Sequence, residues 1–200
     1  MKIRTIVSTF ALLAILACGS TSFKTTWKDP SANQIPITGK KVVVVAMNVQ
    51  PSVRRGIEEA VSAELRKLGA EGTPSFQILA QDATVGSAKA KLAAEGYDAA
   101  WVIRVTDKEK EVYSTPGTYA PYGAYGSYWG WGGGWGGAYM APEMRTDTLI
   151  FVETMIYSVK NDKLAWSGLS ETRNPSDIAS FASELTRVAV AEMKKSGLLI

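Results

Sequence analysis

An unbroken apolar run at Val42–Met47 constrains the fold of this 200-residue chain more than any other feature. It begins with four consecutive valines, and β-branched side chains favour a strand. Successive side chains of a strand point to opposite faces, so both faces of this one need to be covered. The run therefore predicts a central strand of a sheet that has helices packed against it.

Apolar residues at helical spacing follow this strand and recur near the end of the chain. The first helix opens at Pro51–Ser52 and has Gly69 at its C-terminal cap. Its apolar positions are Val53, Ile57, Ala60, Val61, Leu65 and Leu68. The last helix is expected to have Asn174 as N-cap and Pro175 at its first position. Its apolar face comprises Ile178, Phe181, Leu185, Val188, Ala189 and Met193.

The remaining patterns complete one domain. They predict strands at Ser75–Leu79, Ala99–Thr106 (extendable to Tyr113), Thr148–Val159 and Leu164–Thr172, and an Ala-rich helix at Ser87–Glu95. The order is β-α-β-α-β, a loop, then β-β-α. We expect an α/β (α+β) two-layer sandwich with a mixed sheet over residues 41–200, interrupted by an insertion at residues 114–142.

Residues 1–17 have the pattern of a signal peptide. Lys2 and Arg4 give a short basic start, and Thr5–Ala17 carries no charge. About 13 residues of helix span roughly 20 Å, which is too short for a hydrocarbon core of about 30 Å. Residues 1–17 are therefore expected to be removed on export.

The only cysteine follows directly, in the sequence Ile15-Leu16-Ala17-Cys18-Gly19. This order resembles the lipobox of bacterial lipoproteins, with an aliphatic residue three positions before the cysteine and small residues beside it. The resemblance implies that the Cys18 thiol is diacylated and that the chain is cut just before it. The alternative is a signal peptide that is cut elsewhere, with Cys18 incidental. Two or three acyl chains anchor a protein stably, whereas one holds it weakly.

Residues 18–40 are expected to form a lipidated tether with one short strand near Phe23–Trp27, because they carry Ser, Thr, Pro and Gly with little periodicity. Gly19 stands where inner-membrane lipoproteins of Gram-negative bacteria carry Asp. For a Gram-negative source, the lipobox resemblance therefore implies the outer membrane, with the domain in the periplasm.

A second resemblance is carried by Lys41–Val45, by the helix end Leu65–Gly69 and by the hairpin end Asn161–Ser167. These segments are similar to small periplasmic α/β domains of bacterial envelope proteins. Such proteins include the TolB N-terminal domain, the penicillin-binding-protein activator lipoproteins and the periplasmic part of the curli secretion lipoprotein. The similarity spans about residues 41–195. It implies a protein that binds other envelope components, and it transfers no specific binding residue.

The insertion is uncharged from Ser114 to Pro142, and nine glycines stand between Gly117 and Gly137. Its candidate binding residues are Tyr119, Tyr122, Tyr125, Tyr128, Trp129, Trp131 and Trp135. Because Tyr and Trp combine an apolar body with a polar tip, they favour interfaces. A protein partner, a membrane surface and stacking on glycan strands all remain open. The alternative is a low-complexity insertion that collapses on its own domain.

Composition argues against several kinds of function. The chain has no histidine, which removes a Ser-His-Asp triad and metal sites of the Cys/His type. Without Lys2 and Arg4 it has 20 basic and 19 acidic residues, and a net charge of +1 argues against nucleic acid as a partner. No cofactor or metal is expected.

Two groups of carboxylates are candidates for acid–base chemistry. Glu58 and Glu59 stand four residues after Arg54 and Arg55, a spacing typical of surface ion pairs on a helix. Glu153 interrupts an apolar strand; it either faces a polar groove or pairs with Arg104, and we favour the pair. We interpret both groups as structural.

The sequence therefore predicts a lipid-anchored periplasmic adaptor that has no enzymatic activity and binds an envelope protein. A peptidoglycan- or polysaccharide-binding module is the first alternative. An oligomeric secretion component of the outer membrane is the second.

Overall fold

The computed structural model describes residues 21–80, 83–115, 119–120, 138–139 and 143–200, with side chains over residues 21–80, 83–113 and 146–200. The strands are β1 (Thr21–Lys28), β2 (Lys41–Met47), β3 (Glu71–Pro74), β4 (Ala99–Thr115), β5 (Tyr119–Ala120), β6 (Ala138–Tyr139), β7 (Glu143–Ser158) and β8 (Lys163–Arg173). The helices are α1 (Pro51–Lys67), α2 (Ser75–Ile78), α3 (Val85–Ala94) and α4 (Ile178–Lys195).

Six of the strands form one sheet in the order β1-β8-β7-β4-β2-β3. β2 is parallel to both of its neighbours, β3 and β4. The pairs β4–β7, β7–β8 and β8–β1 are antiparallel. The sheet is therefore mixed, and the α/β class with helices packed on the sheet is confirmed.

β2 is covered on both faces, which confirms the prediction from its valine run. Val42, Val44 and Ala46 pack into the main core together with apolar residues of α1 and α4. Val43 is fully buried on the opposite face, in a cluster with Leu92 of α3. Helix α3 thus covers part of the face that α1 and α4 leave open.

Helix α4 starts later than the sequence predicted. Its N-cap is Asp177, which accepts a hydrogen bond of 2.9 Å from the Ser180 N–H. Asn174 instead has φ 47°, and its side chain accepts a 2.8 Å hydrogen bond from the Thr148 N–H. The prediction of Asn174 as N-cap was wrong because its amide completes the end of the sheet.

The strand predicted at Ser75–Leu79 was also wrong. The strand at this place is β3, which precedes it and pairs in parallel with the first half of β2. Residues Ser75–Ile78 form one helical turn, and Ser75 is fully buried at its start. Its hydroxyl lies 2.8 Å from both carboxylate oxygens of Glu58, which fixes the direction of the chain after the strand.

β1 lies within the region expected to be a tether, and it forms an edge of the sheet over its whole length. The strand expected near Phe23–Trp27 is part of it. The Phe23 ring packs edge-on against the buried Trp166, with ring centroids 5.5 Å apart. At its first residue, the Thr21 N–H donates a 2.7 Å hydrogen bond to Glu184 of α4. The folded domain therefore includes residues well before the expected boundary at residue 41.

Candidate functional site

β4 and β7 form a hairpin that is longer than the rest of the sheet. β2 accompanies β4 only as far as Arg104, and β8 accompanies β7 only as far as Leu149. Beyond these points residues 110–115 pair with residues 143–148, and no third strand among the described residues lies beside them. We term these two segments the arm. At about 3.3 Å per residue the arm is roughly 20 Å long.

A cluster of charged and polar side chains fixes the base of the arm. Arg173 donates to Asp147 at 2.7 Å and lies 3.4 Å from Glu111. Asn174 donates a further 2.8 Å hydrogen bond to Asp147, and the Tyr113 hydroxyl donates to Glu111. Hydrogen bonding with Tyr113, followed by that with Asp147, raises the pKa of Arg173 above its ordinary value. The guanidinium therefore stays charged and holds both strands of the arm to the end of β8.

The arm exposes apolar side chains on both of its faces. Val112 is 59% exposed and Tyr113 is 47% exposed. Neighbouring residues of a strand point to opposite faces, so Val112 lies on the face of Lys110 and Tyr113 lies on the face of Glu111. The described side chains of the arm thus combine exposed apolar groups with the charged Lys110, Glu111 and Asp147. The sequence allowed β4 to reach Tyr113 but gave no sign that this part leaves the sheet.

Most of the predicted binding residues lie outside the described part of the chain. These are Cys18, Tyr122, Tyr125, Tyr128, Trp129, Trp131 and Trp135. Tyr119 belongs to β5, whose backbone pairs with β6, and its side chain is also outside the described set. The structure adds the point of attachment, because the predicted insertion at residues 114–142 leaves from one strand of the arm and returns on the other.

β1 begins at the end of the sheet from which the arm projects. Thr21 pairs with Thr172, Thr172 pairs with Ile150, and Ile150 pairs with Lys108. These four residues form one row across the sheet, just below the base of the arm. Cys18, the predicted lipid site, precedes Thr21 by three residues. The described residues that flank the two predicted sites, Thr21 after the cysteine and the arm beside the aromatic insertion, therefore lie at one end of the domain.

Glu58 was predicted to lie in a surface ion pair, and the surface position is wrong. The pair with Arg54 exists at 2.8 Å, but the Glu58 side chain is 0% exposed. Its carboxylate also accepts from the Ala46 N–H at 3.0 Å, the Phe76 N–H at 3.2 Å and the Ser75 hydroxyl at 2.8 Å. These donors come from the end of β2 and the start of α2, and they make a polar pocket under α1. Glu58 therefore joins three elements of the core.

The other expected ion pairs have mixed outcomes. The described side chains of Arg55 and Glu59 do not form an ion pair. The Arg55 guanidinium lies 5.5 Å from the centroid of the Phe76 ring, and Glu59 is exposed. Arg104 pairs with Glu153, which confirms that prediction. Of the three carboxylates first considered for acid–base chemistry, Glu58 and Glu153 are thus bound by arginines, and Glu59 is exposed.

An apolar cavity of about 360 Å³ lies at the end of the domain opposite the arm. Its lining includes Ile35, Leu65, Tyr97, Trp101, Met193 and Leu198. Lys40 and Asp98, an ion pair at 3.1 Å, supply charge in its wall. Such a lining suits a small apolar molecule. Sequence reasoning missed the cavity because its walls come from segments that are far apart along the chain.

No protein-family model and no curated protein matches this chain. Among solved structures, the PelC dodecamer from Paraburkholderia phytofirmans is 15% identical over 82% of this chain and 93% of its own, with a TM-score of 0.46. Lipoprotein GNA1162 from Neisseria meningitidis is 15% identical over 78% of this chain and 99% of its own, with a TM-score of 0.43. These similarities are too weak to assign a family or a function. The resemblance to TolB-type and penicillin-binding-protein-activator domains stays a prediction.

Proposed function

We propose that this protein is a non-catalytic binding protein of the bacterial cell envelope, held at a membrane by lipid on Cys18 and contacting another envelope component through its arm. The observation that carries the proposal is the arm itself. It extends six residue pairs past the neighbouring strands and brackets an uncharged, aromatic-rich segment. A two-stranded ribbon alone is marginally stable in water, so an arm of this kind suits a contact with something outside the domain.

The positions of charged groups support binding rather than catalysis. Near the arm, Arg173 holds Glu111 and Asp147 at distances of 3.4 and 2.7 Å. In the core, Glu58 is enclosed by donors from three elements. Acid–base catalysis needs a side chain that can reach a substrate. These carboxylates are instead engaged by arginines and other donors of the fold, which suits structural roles.

The position of β1 supports an anchor at Cys18. Only residues 19 and 20 separate that cysteine from the first residue of the sheet. A lipid at Cys18 therefore holds the folded domain directly at the membrane surface. Within the described residues, no helix is long and apolar enough to span a bilayer.

The anchor is tested by replacing Cys18 with Ser in a bacterial host that is fed a labelled fatty acid. We expect Cys18→Ser to lose the label and to leave the membrane fraction. Ser20→Ala, two residues away, is the matched control and should keep both the label and the membrane location. A labelled, membrane-bound Cys18→Ser protein would show that the anchor assignment is wrong.

A glycan-binding module is the second candidate, favoured by the half-exposed Tyr113 next to a segment rich in Tyr and Trp. Aromatic rings of this kind can stack on sugars. The test is sedimentation of the lipid-free Cys18→Ser protein with purified peptidoglycan sacculi. Sedimentation that Tyr113→Ala weakens would favour the glycan. A protein that stays in the supernatant at modest salt eliminates this candidate.

A further inference from the structure

We infer that the envelope component contacted by the arm is the bilayer itself, with the outer part of the arm lying among the lipid headgroups. This inference rests on the proposed function, because it requires lipid on Cys18. Beyond the proposed function, the inference specifies which end of the domain faces the membrane and which described residues touch the membrane. The residues concerned are Val112 and Tyr113 on the arm, with Lys110 and Thr146 beside them.

The first argument is the height of Thr21 relative to the arm. The row Thr21–Thr172–Ile150–Lys108 runs across the sheet, perpendicular to the strands. The twist of a sheet rotates strands about this perpendicular direction and does not shift residues of one row along the strands. Thr21 therefore lies at about the same height along the arm axis as Lys108.

The second argument compares two lengths. Three residues from Thr21 back to Cys18 span at most about 10 Å, even when fully extended. Seven residues from Lys108 to Thr115, at about 3.3 Å each, span roughly 23 Å along the arm. The end of the arm therefore reaches beyond any height at which Cys18 can lie. A bilayer that takes up the lipid on Cys18 and faces this end of the domain must meet the arm.

The third argument is the distribution of apolar side chains on the arm. Val112 and Tyr113 are 59% and 47% exposed, and they point to opposite faces. A protein that docked on one face would cover one of them and leave the other in water. Lipid headgroups and the adjoining acyl region surround an inserted ribbon and cover both. The sequence that continues from the arm, residues 114–142, carries no charge and is rich in Tyr and Trp, which concentrate at membrane interfaces.

The charges on the arm set the depth of the contact. Lys108 and Lys110 are exposed near the base, alternating with the exposed Asp107 and Glu109, and such a charged stretch belongs at the water side of the headgroups. Glu111 and Asp147 are both held by Arg173, which offsets their charge. Farther out along the arm, the backbones of Arg145 and Glu143 pair with those of Tyr113 and Thr115. Charged residues at that position match the headgroup layer, roughly 5–8 Å thick, and not the hydrocarbon core.

The experiment uses the full chain with one added cysteine, reconstituted in vesicles of phosphatidylethanolamine and phosphatidylglycerol. Cys18 is the only natural cysteine, and its thiol is blocked when it carries lipid. A thiol-reactive fluorophore therefore labels only the added position. The test position is Val112→Cys. The control is Ile200→Cys, which is 67% exposed at the opposite end of the domain. Quenching by iodide in solution reports access from water.

We expect iodide quenching at position 112 to fall several-fold relative to the same label on the soluble Cys18→Ser chain, while position 200 stays fully accessible. Lipids that carry a nitroxide near the headgroup should quench position 112 and not position 200. Equal access at the two positions overturns the inference. So does an exposed label that becomes shielded only when solubilised envelope proteins are added, because the contact is then a protein.

Labelling of the chain without an added cysteine distinguishes failure of the anchor from failure of the docking surface. If the chain without an added cysteine takes up the fluorophore, Cys18 carries a free thiol and the proposed anchor is wrong. If Cys18 is blocked and position 112 remains open to iodide, the anchor stands and the arm does not dock on the bilayer.

Discussion

Glu58 accepts hydrogen bonds from β2, from α2 and from Arg54 on its own helix. Its spacing from Arg54 predicts their ion pair, because residues four apart share one face of a helix. The same spacing does not predict the hydrogen bonds from the backbone N–H groups of Ala46 and Phe76, because these groups meet the carboxylate only in the folded sheet. The prediction of a surface pair failed for this reason.

Removing this carboxylate is expected to destabilise the fold strongly. Glu58→Ala leaves the N–H groups of Ala46 and Phe76 without this acceptor, and each buried donor left unpaired costs about 1–3 kcal/mol. Urea unfolding followed by circular dichroism measures the change. Glu59→Ala, at the exposed neighbouring position, is the control and should shift the unfolding free energy by no more than about 0.5 kcal/mol. Equal effects of the two substitutions would contradict the role given to Glu58.

Asp98 makes the stability of the domain depend on pH. Burial opposes its ionisation, but hydrogen bonds from the Lys41 N–H and the Lys40 ammonium outweigh burial and hold the pKa of Asp98 below its ordinary value. The ionised form is thus favoured in the folded state. Its contribution is complete above the unfolded pKa of about 3.9 and is lost as the pH falls through the lower folded pKa.

Asp98→Asn should therefore be less stable than the natural chain at neutral pH, and the difference should shrink on acidification below about pH 4. Urea unfolding of both proteins at neutral and acidic pH measures it. A difference that stays constant with pH would show that the charge of Asp98 contributes nothing. Asp29, Glu64 and Asp177 also have lowered pKa values, so the natural chain itself should lose stability in acid.

Among the elements, those with long periodic patterns were predictable from sequence. The start of α1 at Pro51, its end before Gly69 and the apolar face of β4 with Trp101 and Ile103 agree with expectation. β3 was missed because its sequence, Glu71–Pro74, has no apolar alternation and a single β-branched residue, Thr73. β1 was recognised as a strand but not as part of the sheet, since its partner β8 lies more than 130 residues away.

The attachment of β1 to β8 depends on a glycine. A Cβ atom added at Gly168 would lie 2.6 Å from ring atoms of Phe23 and Trp166, closer than contact allows. Gly168→Ala should therefore push Phe23 out of its place and cost about 1–3 kcal/mol of stability. Amide hydrogen exchange in residues 21–28 should quicken. Gly86→Ala in α3 is the control, because its added Cβ meets nothing closer than 4.0 Å.

Arg173 contacts both strands of the arm at its base. Arg173→Met removes the cation that joins Glu111 and Asp147 and leaves their two negative charges close together. We expect faster hydrogen exchange in residues 110–113 and 146–148, with little change in the unfolding midpoint of the domain. Lys160→Met, an exposed change at the opposite end, should alter neither quantity. Unchanged exchange in the arm after Arg173→Met would mean that another contact holds it.

At the scale of the whole molecule, the domain has two different ends. One end has the start of β1, the arm and the attachment of the aromatic insertion, while the other has the apolar cavity and the exposed C-terminal Ile200. The sequence indicated a lipid site and an aromatic segment as separate features. That Thr21, which follows the first, and the arm, which flanks the second, lie at one end could not be predicted, because it follows from the register of four strands.

The most direct test of this account is photo-crosslinking in living cells, with a photoreactive residue placed at Val112 and, in a second protein, at Ile200. We expect Val112 to form an adduct with an envelope lipid, and Ile200 to form none of the same kind. An adduct of Val112 with one envelope protein would keep the binding role of the arm but contradict its docking on the bilayer. The Val112 adduct should be lost when Cys18 is replaced by Ser. An arm that gives no adduct, or the same adducts from both positions, would contradict the account.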